Sequence, residues 1–283
     1  MNELKNFNEA LKYIELHLET GVDNEELSRI AACPASLFGR IFTVLSDMPL
    51  SEYIRLRRLS RAASELQESH AKVIELALKY GYDSVDAFSA AFRRFHGKRP
   101  SEVKKGEPYR VLPPVRFSLK IQGGSEMEVR MEKKEAFKMA GLILKGMPNA
   151  DFAKLWGDLF NQYTMEELLS LGSGQSYGAC YEMTTDEQFS YMAGFDLKET
   201  QKAQALGLEV LEVPAATYAV VKLTGPIPRC IREGWGYVMG SFFPQQGYRH
   251  AGSPDFEVYF DGDMYAPDYK MELWVPVEKT SQG

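Results

Sequence analysis

Apolar residues recur at helical spacing through the first third of the chain. Four of them predict the buried stripe of a leading amphipathic helix: Phe7, Leu11, Ile14 and Leu18. Residues 25–32 and 36–45 keep the same period on either side of a Cys-Pro turn. Pro49 then opens the stretch 49–68, and because proline is tolerated in the first turn of a helix, this stretch predicts one long connecting helix.

A second pair of short helices is predicted over residues 73–102. The apolar side chains expected to be buried on its first helix are Val73, Ile74, Ala77 and Leu78. Gly81 stands where a left-handed residue would end that helix, and Asp83 and Ser84 offer side-chain oxygens that would cap the next one. The apolar face of that next helix comprises Val85, Phe88, Phe92 and Phe95. Two helices joined by a glycine-containing turn are the helix-turn-helix pattern.

The last helix of each pair has an outer face suited to a DNA major groove. In the second pair this face is small or polar, with Asp86, Ala87, Ser89, Ala90, Arg93 and Arg94. Arg93 and Arg94 would lie beside phosphates, and Arg40 is on the outer face of the first pair. Two such helices on one connector would contact successive major-groove faces about 34 Å apart. Taken alone, the second helix is equally explained as a solvated face of a helical domain.

Residues 7–105 resemble the DNA-binding domain of the AraC/XylS family of bacterial transcription regulators. The resemblance rests on SLFGRIF, on PLSEYIRLRRLSRAASEL and on IELALKYGYDSVDAFSAAFRRFHGKRPSE. Gly81-Tyr82, Phe88, Phe92, Gly97 and Pro100 stand where the family signature has its glycine-aromatic pair, its two phenylalanines and its G-x-x-P ending.

The resemblance implies that the outward positions of both recognition helices contact bases. These positions are Ser36, Gly39 and Arg40 in the first helix and Asp86, Ala87 and Ala90 in the second, and the full set of candidate DNA-binding residues adds Ser84, Arg93 and Arg94. Gly39 and Ala90 replace the larger polar residues common in the family, so we expect weak direct readout by the second helix. Arg40 is then the best candidate for a base contact, because arginine to guanine is the commonest specific pairing.

After residue 106 the helical period ends, and Gly and Pro predict a linker over 107–126. From Met127 the period shifts towards two, with a helix predicted over 151–163. The order strand, helix, strand, strand occurs twice, which predicts an α+β pseudo-twofold repeat with a groove between its halves. The predicted fold therefore has two domains. An all-α double helix-turn-helix domain (1–106) precedes the linker, and the α+β domain covers 127–283.

Within this second domain, PAATYAVVKLTG and the closing MELWVPV resemble the GyrI-like effector-binding domain of multidrug-sensing regulators, over residues 127–279. The resemblance implies that Glu272 meets a cationic, aromatic ligand. Strand alternation places Trp274 on the same face, and an unpaired carboxylate in such a cavity should have a raised pKa. Further aromatic side chains are expected to line the groove: Tyr177, Tyr181, Tyr191, Trp235 and Tyr248. The alternative for Glu272 is an outward position on an edge strand.

The net charge of −6 divides unevenly along the chain. Residues 1–110 carry 17 Lys and Arg against 16 Asp and Glu, a balance of +1, and residues 111–283 carry 16 against 23, a balance of −7. Phosphate attraction therefore depends on basic clusters, at Arg55, Arg57, Arg58 and Arg61 and again at Arg93, Arg94, Lys98, Arg99, Lys104 and Lys105. A solvated face is the alternative for both clusters.

Three isolated cysteines and four scattered histidines lack the spacing of a disulfide framework or a metal site, so we expect no metal and no cofactor. The sequence has no apolar run long enough to cross a membrane and no signal-peptide pattern, so we expect a cytoplasmic protein without membrane contact.

These observations predict a transcription regulator, not an enzyme. Its expected partners are double-stranded DNA, a small, cationic or amphipathic aromatic effector, and RNA polymerase. Two alternatives stay open. Some GyrI-like domains resemble hydrolases that open reactive cyclopropane-bearing toxins with a glutamate and aromatic hydroxyls. The domain could also bind only another protein, an interpretation that a Glu272 buried against a basic residue of its own chain would favour.

Overall fold

The computed structural model describes residues 3–69, 71–117, 127–145, 151–182 and 189–279. Its first part consists of helices, namely α1 (Glu3–Leu16), α2 (Asn24–Ala31), α3 (Ala35–Ser46), α4 (Leu50–Glu68), α5 (Val73–Lys79), α6 (Val85–His96) and α7 (Pro100–Val103). The predicted double helix-turn-helix arrangement is confirmed: α2 with α3 and α5 with α6 form the two pairs, and α4 connects them. Among the described residues, no helix is both long and apolar enough to span a membrane.

Local capping explains where the helices of the second pair begin and end. Gly81 has a φ of +78° directly after α5, as its position in the sequence predicts. The Ser84 hydroxyl accepts a hydrogen bond from the Ala87 amide at 3.1 Å and thereby begins α6. Gly97 ends α6 at a φ of +75°, a left-handed conformation that costs glycine little.

The predicted buried face of α5 is only partly correct: Ala77 is buried and Val73 is half-buried, but the other two predicted residues are exposed. Ile74 and Leu78 are 52% and 66% exposed, whereas the buried side chains in and after the helix are Leu76, Ala77 and Tyr80. The Tyr80 hydroxyl donates a hydrogen bond to Glu65 of α4 at 2.5 Å. This contact turns α5 away from the orientation that its own apolar stripe suggested.

The second part of the chain is a sheet with helices on one face. Its elements in chain order are β1 (Val129–Lys134), β2 (Phe137–Lys145), α8 (Phe152–Gln162), α9 (Met165–Leu169), β3 (Ser176–Tyr181), β4 (Ser190–Leu197), α10 (Thr200–Leu206), β5 (Glu209–Val213), β6 (Ala216–Thr224), α11 (Arg229–Tyr237), a π-helical turn (Val238–Phe242), α12 (Phe243–Gln246), β7 (Tyr248–His250), β8 (Asp255–Tyr259) and β9 (Lys270–Lys279).

The sheet confirms the predicted pseudo-twofold repeat. All described strand pairs are antiparallel, in the order β1-β6-β9-β8-β3-β4-β2-β5, and β7 adds to β9. The central order reads the same from either end once β2 is matched to β6, β3 to β8 and β4 to β9. The first half begins with β1 and the second half with β5, and each of these strands pairs with the other half: β1 pairs with β6 and β5 pairs with β2. Residues 183–188, between β3 and β4, lie outside the described residues.

The two faces of the sheet have different coverings. Helix α8 packs on Cys180, Tyr191 and Ala193, and α11 packs on Leu273 and neighbouring apolar residues of β6 and β9. We call this side the helix-covered face. The other side, here the opposite face, is buried because the sheet curls: the rings of Phe137 on β2 and Phe256 on β8 approach to 5.6 Å although two strands separate β2 from β8.

The helical part and the sheet part share one apolar core. Phe38 and Phe42 of α3 belong to the same buried cluster as Trp235 and Val238. At the rim of this contact the Arg232 guanidinium donates to the Val44 carbonyl at 3.0 Å and pairs with Asp47 at 2.7 Å. The outer side of α3 therefore lies against α11.

The first half of the predicted linker is fixed on the helical part. Asn8 bonds both the amide and the carbonyl of Phe117, at 3.0 and 2.9 Å, and the Val115 amide donates to the Tyr53 hydroxyl. The Arg57 guanidinium donates to the carbonyl of Leu112. These side chains satisfy a backbone that has no secondary structure of its own. Residues 118–126 lie outside the described residues.

Replacing Asn8 with Ala removes both bonds to Phe117. We expect the free energy of unfolding to fall by about 1 to 2 kcal/mol, with faster tryptic cleavage after Arg116, as measured by urea denaturation and limited proteolysis. Lys12→Ala, an exposed change on the same helix, is the matched control. Equal behaviour of the two variants would contradict a fixing role for Asn8.

Candidate functional site

The outer face of α6 is open, as a recognition helix requires. Its predicted contact residues are exposed, namely Ser84, Asp86, Ala87, Ala90, Arg93 and Arg94. A shallow depression of about 410 Å³ runs beside them, lined by Val85, Ser89 and the start of α7. The Ser84 hydroxyl is already used as the helix cap, which leaves the others for DNA. That these residues contact DNA stays a prediction.

The predicted contact residues of α3 are not available in this arrangement. Ser36 and Arg40 are 0% and 6% exposed, and a β-carbon on Gly39 would point at Leu50 within the helical part, 3.7 Å away. Gly39 is therefore an inward position, and the outward positions are covered by the sheet part. This corrects the expectation that α3 presents a free base-reading face.

Arg40 reaches across to the sheet. Its Nη1 lies 2.5 Å from Oδ2 of Asp255, which is fully buried, and its guanidinium lies over the Trp235 ring at 5.1 Å from the centroid. Burial alone would lower the pKa of Arg40, but Asp255 raises it, so the pair is ionised. Burial likewise acts to raise the pKa of Asp255, but Arg40 and His250 hold it below its ordinary value.

The basic cluster of α4 is also used within the chain. Arg57 is 5% exposed and pairs with Glu15 at 2.8 Å, Arg58 donates to the Leu18 carbonyl, and Arg55 pairs with Glu52. The phosphate-binding interpretation of this cluster does not hold for Arg57.

Glu272 is neutralised by its own chain. The Arg130 guanidinium holds both carboxylate oxygens at 2.6 and 2.9 Å, and the Trp274 indole donates to the same carboxylate at 2.9 Å. Burial acts to raise the pKa of Glu272, but these two donors lower it below the ordinary value. The expected unpaired carboxylate with a raised pKa is therefore wrong for Glu272.

Three of the aromatic residues predicted around Glu272, namely Trp274, Tyr177 and Tyr181, lie on the opposite face, where a second intrachain cation is bound. Lys134 Nζ lies 5.0 Å from the centroid of Trp274, 5.6 Å from that of Tyr177 and 4.6 Å from that of Phe137. Tyr181 belongs to the same buried cluster, and burial raises the pKa of Tyr177 and of Tyr181 to about 12. Arg130 and Lys134 thus already occupy the positions that a cationic ligand would take.

The remaining predicted wall residues lie elsewhere. Tyr191 and Trp235 are buried on the helix-covered face, beneath α8 and in α11. Tyr248 stacks on Phe242 at 5.7 Å and carries Lys279 over its ring at 3.9 Å, on the edge strand β7. The seven predicted ligand-binding residues therefore do not converge on one site.

A carboxylate that sequence reasoning missed, Glu257 of β8, has the expected surroundings. Its Oε2 accepts a hydrogen bond from Tyr259 at 2.6 Å and lies 3.3 Å from the Tyr191 hydroxyl. The indole of Trp156 donates to that same hydroxyl at 3.1 Å. Tyr259 also meets the edge of Trp156 at 5.3 Å between centroids, and Phe160 stacks on the indole and is 45% exposed. Together these residues form what we call the Glu257 cluster.

Burial raises the pKa of Glu257 above its ordinary value, because the hydrogen bonds and Arg40 only partly offset the loss of water. Within the described part of the chain, Glu257 has no Lys or Arg at ion-pair distance. The cluster therefore holds an aromatic-lined carboxylate without a direct counter-charge.

Gly178 makes this arrangement possible. It pairs with Glu257 across β3 and β8, and a β-carbon there would come within 2.1 Å of the Tyr191 hydroxyl and 3.1 Å of the Glu257 carboxylate. Because the Tyr191 ring is buried and cannot swing away, only glycine leaves room for the hydroxyl. The signal in the sequence is the polar alternation of Asp255, Glu257 and Tyr259, which places these three side chains on one face of a strand.

Among the described residues, no group of three or more His, Cys, Asp or Glu side chains could hold a metal ion.

Comparison with known proteins identifies both parts. The GyrI-like small molecule binding domain matches residues 127–278, and a helix-turn-helix domain matches residues 27–106. The chain is 37% identical over 93 residues to the HTH-type transcriptional activator AarP of Providencia stuartii, covering 33% of this chain and 69% of AarP. It is 32% identical over 137 residues to the uncharacterized HTH-type transcriptional regulator YbfP of Bacillus subtilis (strain 168), covering 48% of this chain and 41% of YbfP.

One similar solved structure is SAV2435 bound to tetraphenylphosphonium, with a TM-score of 0.47 and 21% identity, over 54% of this chain and 94% of that one. The family matches and the curated relatives, several of which are transcription regulators, agree with the double helix-turn-helix fold and the pseudo-twofold sheet. The chain belongs to the GyrI-like small molecule binding domain family and is an AraC-type DNA-binding transcription regulator.

Proposed function

We propose that this regulator is controlled by a small organic cation that binds at the Glu257 cluster. The observation that carries the proposal is the carboxylate of Glu257, which is buried enough to raise its pKa and has no direct counter-charge among the described residues. An ionised carboxylate in such a place is costly until a positive partner arrives, so a cation binds with a gain that a neutral molecule lacks.

The surroundings favour an aromatic or amphipathic cation. Trp156, Phe160 and Tyr259 present partly exposed rings beside the carboxylate. A cation over such a ring gains about 0.5 to 2 kcal/mol, and apolar groups of the ligand would cover the ring surface. Glu272 is not the counter-charge of such a ligand, because Arg130 already pairs with it, and Glu257 takes this role in the proposal.

DNA binding is proposed to use the exposed face of α6, and α3 once it is freed from the sheet. RNA polymerase is a proposed partner because AarP, the 37% identical relative, is named a transcriptional activator. A DNA-binding domain has its target in the bacterial cytoplasm, where we propose the protein acts. The division into 1–106, 107–126 and 127–283 is kept as a proposal, supported by the change from helices to strands.

A hydrolase is the second candidate function, because Glu257 with the hydroxyls of Tyr191 and Tyr259 has the composition of an acid–base site. We infer binding without turnover, since the helix-turn-helix part gives ligand binding a regulatory output. Loss of a reactive cyclopropane substrate on incubation with the protein, abolished by Glu257→Gln, would overturn that inference. A module that only binds another protein is the third possibility, and the burial of Glu272 against Arg130 is the observation in its favour.

The effector proposal predicts a difference between two glutamates. Tetraphenylphosphonium titrated into the full chain by calorimetry should bind wild type and Glu272→Gln alike, because Glu272 already has Arg130. Glu257→Gln should weaken binding by about tenfold or more, or 1.4 kcal/mol. Equal loss in both variants, or no binding to wild type, would contradict the assignment.

Affinity for the same probe should depend on pH. Because burial raises the pKa of Glu257, its carboxylate gains a proton at a higher pH than an exposed glutamate does. Binding should be fully present above that raised pKa and weaken below it, approaching tenfold per pH unit. Calorimetry over roughly pH 4.5 to 8 tests this, and Glu257→Gln should show a flat profile. A flat profile in wild type would rule out an ionised Glu257 as counter-charge.

Exposed arginines of α6 should contribute phosphate contacts. Arg93→Ala and Arg94→Ala should each weaken binding to any duplex and reduce the slope of log K against log salt by about 1. Fluorescence anisotropy with labelled duplexes measures this, and Lys133→Ala on β1 is the charge-matched control. A slope unchanged by both arginine variants would place the DNA elsewhere.

A further inference from the structure

We infer that Arg40 is an internal competitor of the effector: its guanidinium occupies the cation position beside the Glu257 cluster, and a ligand cation that displaces it frees α3 to reach DNA. This inference rests on the proposed function of Glu257. It adds a regulatory route that neither the family nor the composition of the site specifies.

The position of the guanidinium is the first observation. Asp255 and Glu257 are two residues apart on β8 and therefore point to the same face of the sheet, the helix-covered face. Arg40 pairs with Asp255 at 2.5 Å and lies over Trp235, and its charge acts on Glu257 as well. A carboxylate and an aromatic ring around a buried cation are the contacts that an organic cation would use. The side chain of Arg40 thus shows that this place holds a cation between a carboxylate and an aromatic ring.

The second observation is what Arg40 is attached to. It belongs to α3, a predicted recognition helix, and Ser36, one turn earlier on the same face, is fully buried. A duplex cannot reach these positions while α3 lies against α11. The contact of Arg40 with Asp255 and the occlusion of α3 are therefore one event. We call the arrangement in which α3 packs against α11 closed and the one in which α3 is released open. A ligand that binds only when Arg40 has left has a higher affinity for the open arrangement, so it would shift the molecule towards it.

The third observation is that the contact is incompletely satisfied. Asp255 Oδ1, the Trp235 indole nitrogen and the Ser36 hydroxyl are buried without a hydrogen-bond partner in the described structure. Buried polar atoms without partners cost free energy, so the closed arrangement is weaker than its buried area suggests. Release of Arg40 does not leave Asp255 alone, since His250 Nε2 lies 3.4 Å from the same carboxylate oxygen. The contact of Arg40 with Asp255 is thus suited to the replacement of Arg40 by a ligand cation.

The test compares three substitutions in the full chain. Arg40→Met removes the internal cation. Arg232→Glu places a carboxylate beside Asp47 and weakens the contact between α3 and α11 without replacing Arg40, Asp255 or Glu257. Arg229→Glu, on the same helix, is the matched control. The native Arg229 is 76% exposed and, among the described residues, pairs only with Glu233. Circular dichroism melts confirm folding, and Arg232→Glu keeps the test valid if Arg40→Met fails to fold.

Tetraphenylphosphonium should bind Arg40→Met and Arg232→Glu about fivefold or more tightly than wild type, and Arg229→Glu like wild type. On an operator selected from random-sequence duplexes by the full chain, Arg232→Glu without probe should bind about fivefold or more tightly than wild type. Saturating probe should raise the operator affinity of the wild type, and saturating operator should raise its probe affinity by the same factor, as reciprocal linkage requires.

Probe binding that depends on Glu257 but is unchanged by Arg40→Met and Arg232→Glu would overturn the competition and leave the proposed function intact. Absence of probe binding to every variant would reject both. A probe that weakens operator binding would also overturn the inference, since it would mean that the closed arrangement is the one that reads DNA.

Discussion

Side-chain alternation on two neighbouring strands decides what the acidic residues of this protein can do. Glu257 of β8 pairs with Leu273 of β9, so Glu272 must point to the other side of the sheet. On that side β1 brings Arg130 within bidentate reach of Glu272. On the helix-covered side α8 supplies Trp156 but no basic side chain to Glu257. Glu272 is consequently paired within the chain, whereas Glu257 has no basic partner at ion-pair distance among the described residues.

The shared core makes the two parts of the chain mechanically dependent. Trp235 packs with the apolar residues of α3 on one side and under the Arg40 guanidinium on the other. In the proposed exchange, displacement of Arg40 therefore acts directly on the surface where α3 packs, with no relay through distant residues. Asn8 and Tyr53 bond the segment 107–117, so this segment would stay attached to the helical part during such a change. Coupling of this kind is a competition between the Arg40 guanidinium and the ligand cation for one position in the protein.

The sequence predicted what depends on near neighbours. Ser84 and Gly97 cap α6 within a few residues of their partners, and the two-residue period located the strands from Met127 onward. The orientation of α5 was missed because the Tyr80–Glu65 bond comes from another helix. The choice between Glu257 and Glu272 could not be made locally, since FEVYF and MELWV share the same alternation. The partner that distinguishes them, Arg130, is 142 residues away from Glu272 in the chain.

The same limit applies to Arg40, whose partner Asp255 is 215 residues away. A buried ion pair is weak evidence for stability, because desolvation of both charges offsets most of their attraction, whereas removing one partner costs about 3 to 5 kcal/mol. A pair with these energetics contributes little to holding the parts together, yet it strongly disfavours any arrangement that leaves Asp255 without a cation. The buried Asp255 carboxylate thus requires a nearby positive charge without requiring that it be that of Arg40. An external cation meets the same requirement, and this is the physical reason why an exchange between the two can be near balance.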